Sequence, residues 1–380
     1  MAIHDLQLLQ RVIFGEDSID RLGTCVRDFS AQTILVVTDE GVRSAGYLDR
    51  ALTSLRKASL DTYVFDAVPQ NPTTDDIEQG VLFARACPPI DLMIGLGGGS
   101  PMDCAKGINF VLTNGGRMVD YPGFNRFKVP LLPAIGIPTT AGTGSEAQSY
   151  AVVAHSDTRQ KQAYGSRDAR FRSVVLDPKL CLSMPMRLTA ICGIDAVSHV
   201  LESYVSTRRS AISQMLAREA WKRIYGSLER VLKDPQDLGA RGEMLWGAHF
   251  AGAAIENSML GAAHATANPM TARFGVTHGI AVGLMLPHVI KTNAPFCGDL
   301  YSELIRSSGV DDDTQAADLI FDWLQKIKEM AGLPLRLRDC GVDRGVLPTL
   351  AREAADQWTG RFNPRPVGEG EFLELYEGAF

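Results

Sequence analysis

The stretch "DLMIGLGGGSPMDCAKGINFVLT", residues 91–113, leaves a chain few ways to fold. An apolar run of strand length passes through Gly97, Gly98 and Gly99 into a segment whose apolar residues recur at helical spacing. Without Cβ atoms the glycines let another group come close to the backbone, and the helix that follows points its unpaired N–H groups and positive dipole end at that same place. The pattern is not GxGxxG, because Ser100 stands where the last glycine would be, and it is not GxxxxGK[ST] either. It reads as a pyrophosphate cradle at the end of a parallel strand. A plain strand-to-helix turn is the alternative, but such a turn rarely needs three consecutive glycines.

The strand before the glycines has companions. "TILVVTD" (33–39), "TYVFD" (62–66), "LLPAIGIPTT" (131–140), "YAVVA" (150–154) and "SVVLDP" (173–178) alternate with helical stretches such as "GYLDRALTSLRKA" and "TDDIEQGVLFARA". This is how a parallel α/β sheet is written. Past "MP" at 184 and 185 the texture changes to long Ala-, Leu- and Met-rich periods, clearest in "QMLAREAWKRIYGSLERVL", "ARGEMLWGAHFAGAAIEN" and "DLIFDWLQKIKEMAGL". A chain of 380 residues exceeds what one core usually serves. The expected fold is therefore an α/β dinucleotide-binding domain over 1–182 and an all-α domain over 183–380.

Charge and composition exclude other classes. A net charge of −6 with no long basic run offers no footprint for nucleic acid or an anionic membrane surface. The N-terminus carries Asp5 where a signal peptide needs an apolar core, and no apolar run approaches the roughly 18 residues of a membrane span. A cytoplasmic protein is expected. The seven cysteines are scattered without a CxxC pair, which reads as reduced thiols.

Two further features carry chemistry. Asp39, in "TDEG" after the first long strand, stands where a doubly wound fold presents an acid to the adenosine ribose, favouring NAD over NADP. A helix cap is the competing role for the same residue. In "GIDAVSHVLESY", Asp195 and His199 are four positions apart, so a helix presents both toward one point. That pair alone is equally a hydrogen-bonded couple, or a surface Asp beside a core histidine. Downstream, "GAAHATANPMTARFGVTHGIAVGLMLPHV" sets His264 and His278 among small and apolar residues, while Pro269 and Gly275 argue against one continuous helix. One Asp and three His from separate elements suit a divalent cation with room for a substrate oxygen, and Fe2+, Zn2+, manganese and nickel all fit. His288 precedes a long apolar face.

In this order, "GGGSPMDCAK", "IPTTAGTGSEAQ", "VVLDP", "MPMRLTAICGIDAVSHVLESY" and the histidine stretch resemble the iron-containing (group III) alcohol dehydrogenase family, with its dehydroquinate synthase-like fold. The resemblance implies that Asp195, His199, His264 and His278 hold the metal, Fe2+ ahead of Zn2+. It implies NAD on Gly97, Gly98, Gly99 and Ser100, with Asp103 nearby, Asp39 on the ribose, and Asn71, Thr139, Thr140, Thr143, Ser145, Lys161 and Leu180 as further lining. Tyr150, Phe250 and Ile255 are implied near the substrate. Many relatives carry a histidine four residues after the third ligand, proposed as a proton relay. Here Asn268 stands there and cannot titrate near neutral pH. Thr277 replaces a common proline, a conformational change.

The expected function is metal-dependent hydride transfer between NAD(H) and a small alcohol or aldehyde, in a cytoplasmic homo-oligomer, a dimer, without nucleic acid or membrane partners. Three alternatives stand beside it. A reductase of a charged aldehyde (hydroxy acid, phosphonate or sulfonate) needs a cation such as Arg273 or Arg159. A dehydroquinate synthase-type lyase and a degenerate nucleotide-binding protein are the others, and the retained ligand set argues against both.

Overall fold

The alternation of β-branched runs with helical periods builds one wholly parallel sheet in the first of two units, residues 10–183; the second covers 184–380. The computed structural model describes residues 10–158, 160–310 and 315–380. The first unit runs β1 (Arg11–Phe14), α1 (Leu22–Arg27), β2 (Thr33–Val37), α2 (Glu40–Ser44), α3 (Tyr47–Lys57), β3 (Asp61–Phe65), α4 (Thr74–Ala86), β4 (Leu92–Gly97), α5 (Gly99–Asn114), β5 (Gly123–Phe124), β6 (Ala134–Pro138), β7 (Tyr150–Ala154), β8 (Lys161–Gly165) and β9 (Ser173–Leu176). The main sheet has the order β1-β9-β6-β4-β2-β3. Its central strands β4 and β6 are buried along their whole length, which explains why they read as continuous apolar runs rather than alternating ones.

Strand β2 lies between β3 and β4, so the chain leaves it in one direction and returns past it in the other. In open α/β sheets the crevice at such a reversal, beyond the carboxyl ends of the strands, is where ligands bind. The register pairs Gly97 of β4 with Pro138 of β6, which places the glycine loop beside Thr139.

One strand departs from the expected parallel arrangement. β7 joins β5 and β8 in a separate sheet, and β7 and β8 are antiparallel. Residues 155–160 connect them, too short a link for a crossover, which takes about a dozen residues or more. Strands β1, β5 and β8 escape a reading of the sequence because they are short or lack a β-branched run.

The second unit is helical: α6 (Met186–Val205), α7 (Ala211–Lys233), α8 (Leu238–Glu256), α9 (Ala262–Phe274), α10 (His278–Ser307), α11 (Ala316–Met330), α12 (Leu347–Ala355) and α13 (Glu369–Ala379). α6, α7 and α8 pack closely. A Cβ on Gly193 would come within 2.5 Å of Leu228, and one on Gly247 within 2.5 Å of Ile224. Trp221 is fully buried beside Tyr225 and Trp323 and donates its indole N–H to Ser308 Oγ at 3.2 Å. Pro269 does not break α9, contrary to its expected effect. The break falls at Gly275, whose φ of 63° caps the helix, and α10 then starts at His278. Among the described residues no helix is long and apolar enough to cross a membrane, and none of the seven cysteines is joined in a disulfide.

His288, on α10, packs edge-on against the Phe321 ring and close to Gly378. Burial, with the charges of Lys328 and Lys291, pushes its imidazole pKa down to about 4. Between its ordinary 6.5 and about 4 the unfolded chain therefore binds the proton more readily than the folded one, and stability drops as pH falls through that window. His288→Asn is expected to remove roughly 2–3 kcal/mol of that pH dependence, measured by urea unfolding at pH 7 and pH 4.5.

Candidate metal centre and dinucleotide-binding edge

Three helices of the second unit supply the candidate ligands. Asp195 and His199 lie one turn apart on α6, His264 is in the first turn of α9, and His278 opens α10. Asp195 Oδ1 is the hub. The Nε2 atoms of His199, His264 and His278 lie 3.7, 3.8 and 3.8 Å from it. These separations are too long for hydrogen bonds, and Asp195 Oδ1 is a buried carboxylate oxygen without a hydrogen-bond partner. Leaving such an atom unpaired costs several kcal/mol unless a cation compensates it.

The spacing fits a cation. Bonds of about 2.0–2.2 Å put tetrahedral donors roughly 3.3–3.6 Å apart. One donor atom each from Asp195, His199 and His264 lie within 4.8 Å of one another, and all three residues are buried. His278 is the open member of the set, with 22% of its side chain exposed.

Behind the cluster stands a residue that the sequence reading did not single out. Glu202 is buried on α6, where its Oε2 lies 2.5 Å from His264 Nδ1 and its Oε1 accepts from the Ala263 N–H at 2.7 Å and from the His264 N–H at 3.4 Å. The signal was available. Asp195, His199 and Glu202 follow the i, i+4, i+7 spacing of one helical stripe. His288 lies elsewhere, against α11 and α13.

Gly97, Gly98, Gly99 and Ser100, with Asn71, Thr139, Thr140 and Thr143 against them, lie at the carboxyl edge of the parallel sheet in the first unit. Gly97 takes φ 145°, and a Cβ there would meet Pro101 at 2.6 Å. Cβ atoms on Gly98 and Gly99 would meet Thr140 at 3.3 Å and Thr143 at 2.9 Å, so these threonines wall the opening at the start of α5. Thr139 donates its N–H to Gly97 O at 3.0 Å, and the Asn71 N–H reaches Ser100 Oγ at 3.2 Å. Such a cradle of small residues at a helix start suits a pyrophosphate.

Asp39, at the end of β2, caps α2 by accepting from the Val42 N–H at 2.9 Å through Oδ1. Asp103 turns inward. Its carboxylate accepts from Ser145 Oγ at 2.5 Å and the Val152 N–H at 3.2 Å, and burial pushes its pKa up against the opposing pull of Lys106. The Lys106 ammonium, also buried, donates to Ser145 O, Ser145 Oγ and Tyr150 O at 2.7, 2.9 and 2.7 Å. Asp103 and Lys106 thus tie α5 to the segment from Thr143 to Tyr150. Lys161 starts β8, opposite Ala154. Leu180 is fully buried in the apolar core, which leaves its backbone as the part able to meet a ligand. In the other unit Phe250 stacks on Trp246 and Ile255 is buried on α8, whereas Tyr150 lies on β7 against Phe124.

A phosphate cradle on a parallel sheet together with an Asp/His cluster defines a metal-assisted, dinucleotide-dependent oxidoreductase. The chain belongs to the iron-containing alcohol dehydrogenase family: the family's model matches residues 10–178 and the model of its C-terminal part matches residues 189–380. It is similar to 1,3-propanediol dehydrogenase of Citrobacter freundii, with 32% identity over 375 residues, 97% of this chain and 96% of the relative. It is similar to the NAD-dependent methanol dehydrogenase of Bacillus methanolicus, with 28% identity over 373 residues and 97% of each chain. A solved structure of 1,3-propanediol oxidoreductase superposes with a TM-score of 0.95 at 29% identity, covering 100% of both chains. The protein is an alcohol dehydrogenase that moves hydride between a nicotinamide dinucleotide and an alcohol or aldehyde with a divalent metal.

Gly97→Ala forces a Cβ into a positive-φ position against Pro101, a strain of about 1–3 kcal/mol. A Cβ 2.6 Å from Pro101 must displace the loop, and NADH affinity is expected to drop by about tenfold, read from a fluorescence titration with far-UV circular dichroism unchanged. An unaltered Kd would show that this loop does not form the cradle.

Proposed function

We propose that the protein catalyses reversible, NAD-linked oxidation of a small uncharged alcohol, with Asp195, His199, His264 and His278 holding Fe2+. The observation that carries this reading is the buried Asp195 Oδ1 set among three imidazole nitrogens at 3.7–3.8 Å. When bound, a divalent cation and NAD supply Lewis acidity toward an alcohol or carbonyl oxygen and an acceptor for hydride.

The chain's own residues do the rest. Asp195 brings one negative charge to the donor set and the imidazoles bring neutral lone pairs, so the site keeps net positive charge toward a substrate oxygen. His278, partly exposed, marks the side left for a small molecule. At the sheet edge the N–H groups that open α5, beside Thr140 and Thr143, would hold the pyrophosphate. Asp39 uses Oδ1 for the cap and keeps Oδ2 for a ribose hydroxyl, where a 2′-phosphate would meet like charge, and this favours NAD over NADP. Asn268, one turn after His264, donates to Gln357 Oε1 at 3.0 Å. Neither amide takes up or releases a proton near neutral pH, so the proton of the alcohol leaves by another route.

A neutral substrate is favoured over a charged aldehyde because Arg273 is committed to Glu353 through two hydrogen bonds. Arg159, the other candidate cation, lies outside the described residues. Propanediol and methanol, named for two of the relatives, set the size range to screen.

The test is metal analysis of anaerobically purified protein combined with NADH production from a panel of short alcohols. His264→Ala is expected to lose the metal and to cost several kcal/mol in transition-state stabilisation, or roughly a thousandfold in turnover. Full turnover in that variant, or NAD binding by a wild-type protein that holds no metal and gives no turnover after Fe2+ or Zn2+ addition, would overturn the reading.

A further inference from the structure

The candidate ligand His264 sits in the first turn of a helix that has no side-chain cap of its own, since Gly261 occupies the N-cap position of α9. The first N–H groups of a helix have no partner within it. Here they are met from another helix: Glu202 of α6 accepts from the N–H groups of Ala263 and His264 with Oε1. Gly261 makes the approach possible, because a Cβ there would stand 3.0 Å from Glu202 Oε1 and 3.2 Å from Asn363 Oδ1.

With Oε1 held by two backbone donors, the carboxylate cannot rotate, and Oε2 is aimed at His264 Nδ1 at 2.5 Å. A carboxylate that already accepts two N–H groups accepts here too, so the imidazole proton resides on Nδ1. The lone pair is then on Nε2, the atom 3.8 Å from Asp195 Oδ1. With the proton on the other nitrogen, an N–H would point at the cation position and His264 could not ligate.

We propose that Glu202 is the positioning residue of the metal centre: one carboxylate caps α9 and selects the ligating tautomer of His264. The proposal rests on the reading of His264 as a metal ligand. The two functions are coupled through the carboxylate's two oxygens, so the start of α9 and the orientation of the imidazole are set together. A carboxylate behind a ligating histidine also raises the ring's basicity, and such partners typically carry about 10–100-fold in metal affinity.

Glu202→Gln separates the possibilities. An amide has one acceptor oxygen. If it stays on the two backbone N–H groups, its NH2 faces Nδ1 and drives the His264 proton to Nε2. The metal-free protein is examined at a single pH by long-range proton–nitrogen correlation of the histidine rings, and Co2+ is titrated as the probe metal by its visible absorption. The expected result is an Nδ1–H tautomer for His264 in the wild type, its loss in Glu202→Gln, and a Co2+ Kd raised by about 10–100-fold. Gly261→Ala keeps every donor atom but presses on Oε1. It serves as the second variant if Glu202→Gln does not fold, and is also expected to weaken Co2+ binding.

Wild-type Co2+ affinity and an unchanged tautomer in Glu202→Gln overturn the proposal. The same is true of a metal-free Tm that falls while Co2+ affinity holds, since that marks a helix cap alone. His264→Ala is the control for the underlying reading. Lost Co2+ binding there with intact binding in Glu202→Gln leaves the metal site standing without a role for Glu202, whereas intact binding in His264→Ala removes the site itself.

Discussion

A single buried oxygen organises the helical unit. Asp195 Oδ1 has three imidazole nitrogens around it and no hydrogen bond. No protein interior tolerates that arrangement cheaply on its own. Its neighbours come from α6, α9 and α10, so a cation that satisfied the oxygen would also join three helices, two of which Glu202 already links. Chemistry and packing are the same problem here.

The first unit solves a different one. Its ligand edge needs no charge cluster, because parallel strands bring their carboxyl ends to one side and a helix start supplies the donors. What such an edge lacks is rigidity, since loops after strands have few contacts of their own. The Asp103, Lys106 and Ser145 network supplies it through buried hydrogen bonds that tie α5 to the segment after β6.

Much of this was legible in the sequence because the signals are local. Three glycines between an apolar strand and a helical period mark the loop, and Asp195 and His199 mark a helical face. The fold class followed from the change of texture along the chain. Less legible were features that depend on partners distant in sequence. β7 has the composition of a sheet strand, but the short link to β8 decides its direction. Pro269 looks like a helix break, yet the packing of α9 tolerates it and Gly275 performs the stop. Glu202 shares the stripe of Asp195 and His199, and its meaning emerges when His264 arrives from 62 residues away. Asp39 carried two readings, and the structure shows the cap while leaving one oxygen available.

The three hydrogen bonds from Lys106 to Ser145 and Tyr150 also bear on when disorder is given up. A loop left to close over its ligand loses its freedom at the moment of binding, and the affinity is lower by that amount. Here a buried ammonium holds the segment through three hydrogen bonds that need no ligand. The ordering is a cost of folding, met once per molecule, and each later encounter with a cofactor meets a wall that is already in place.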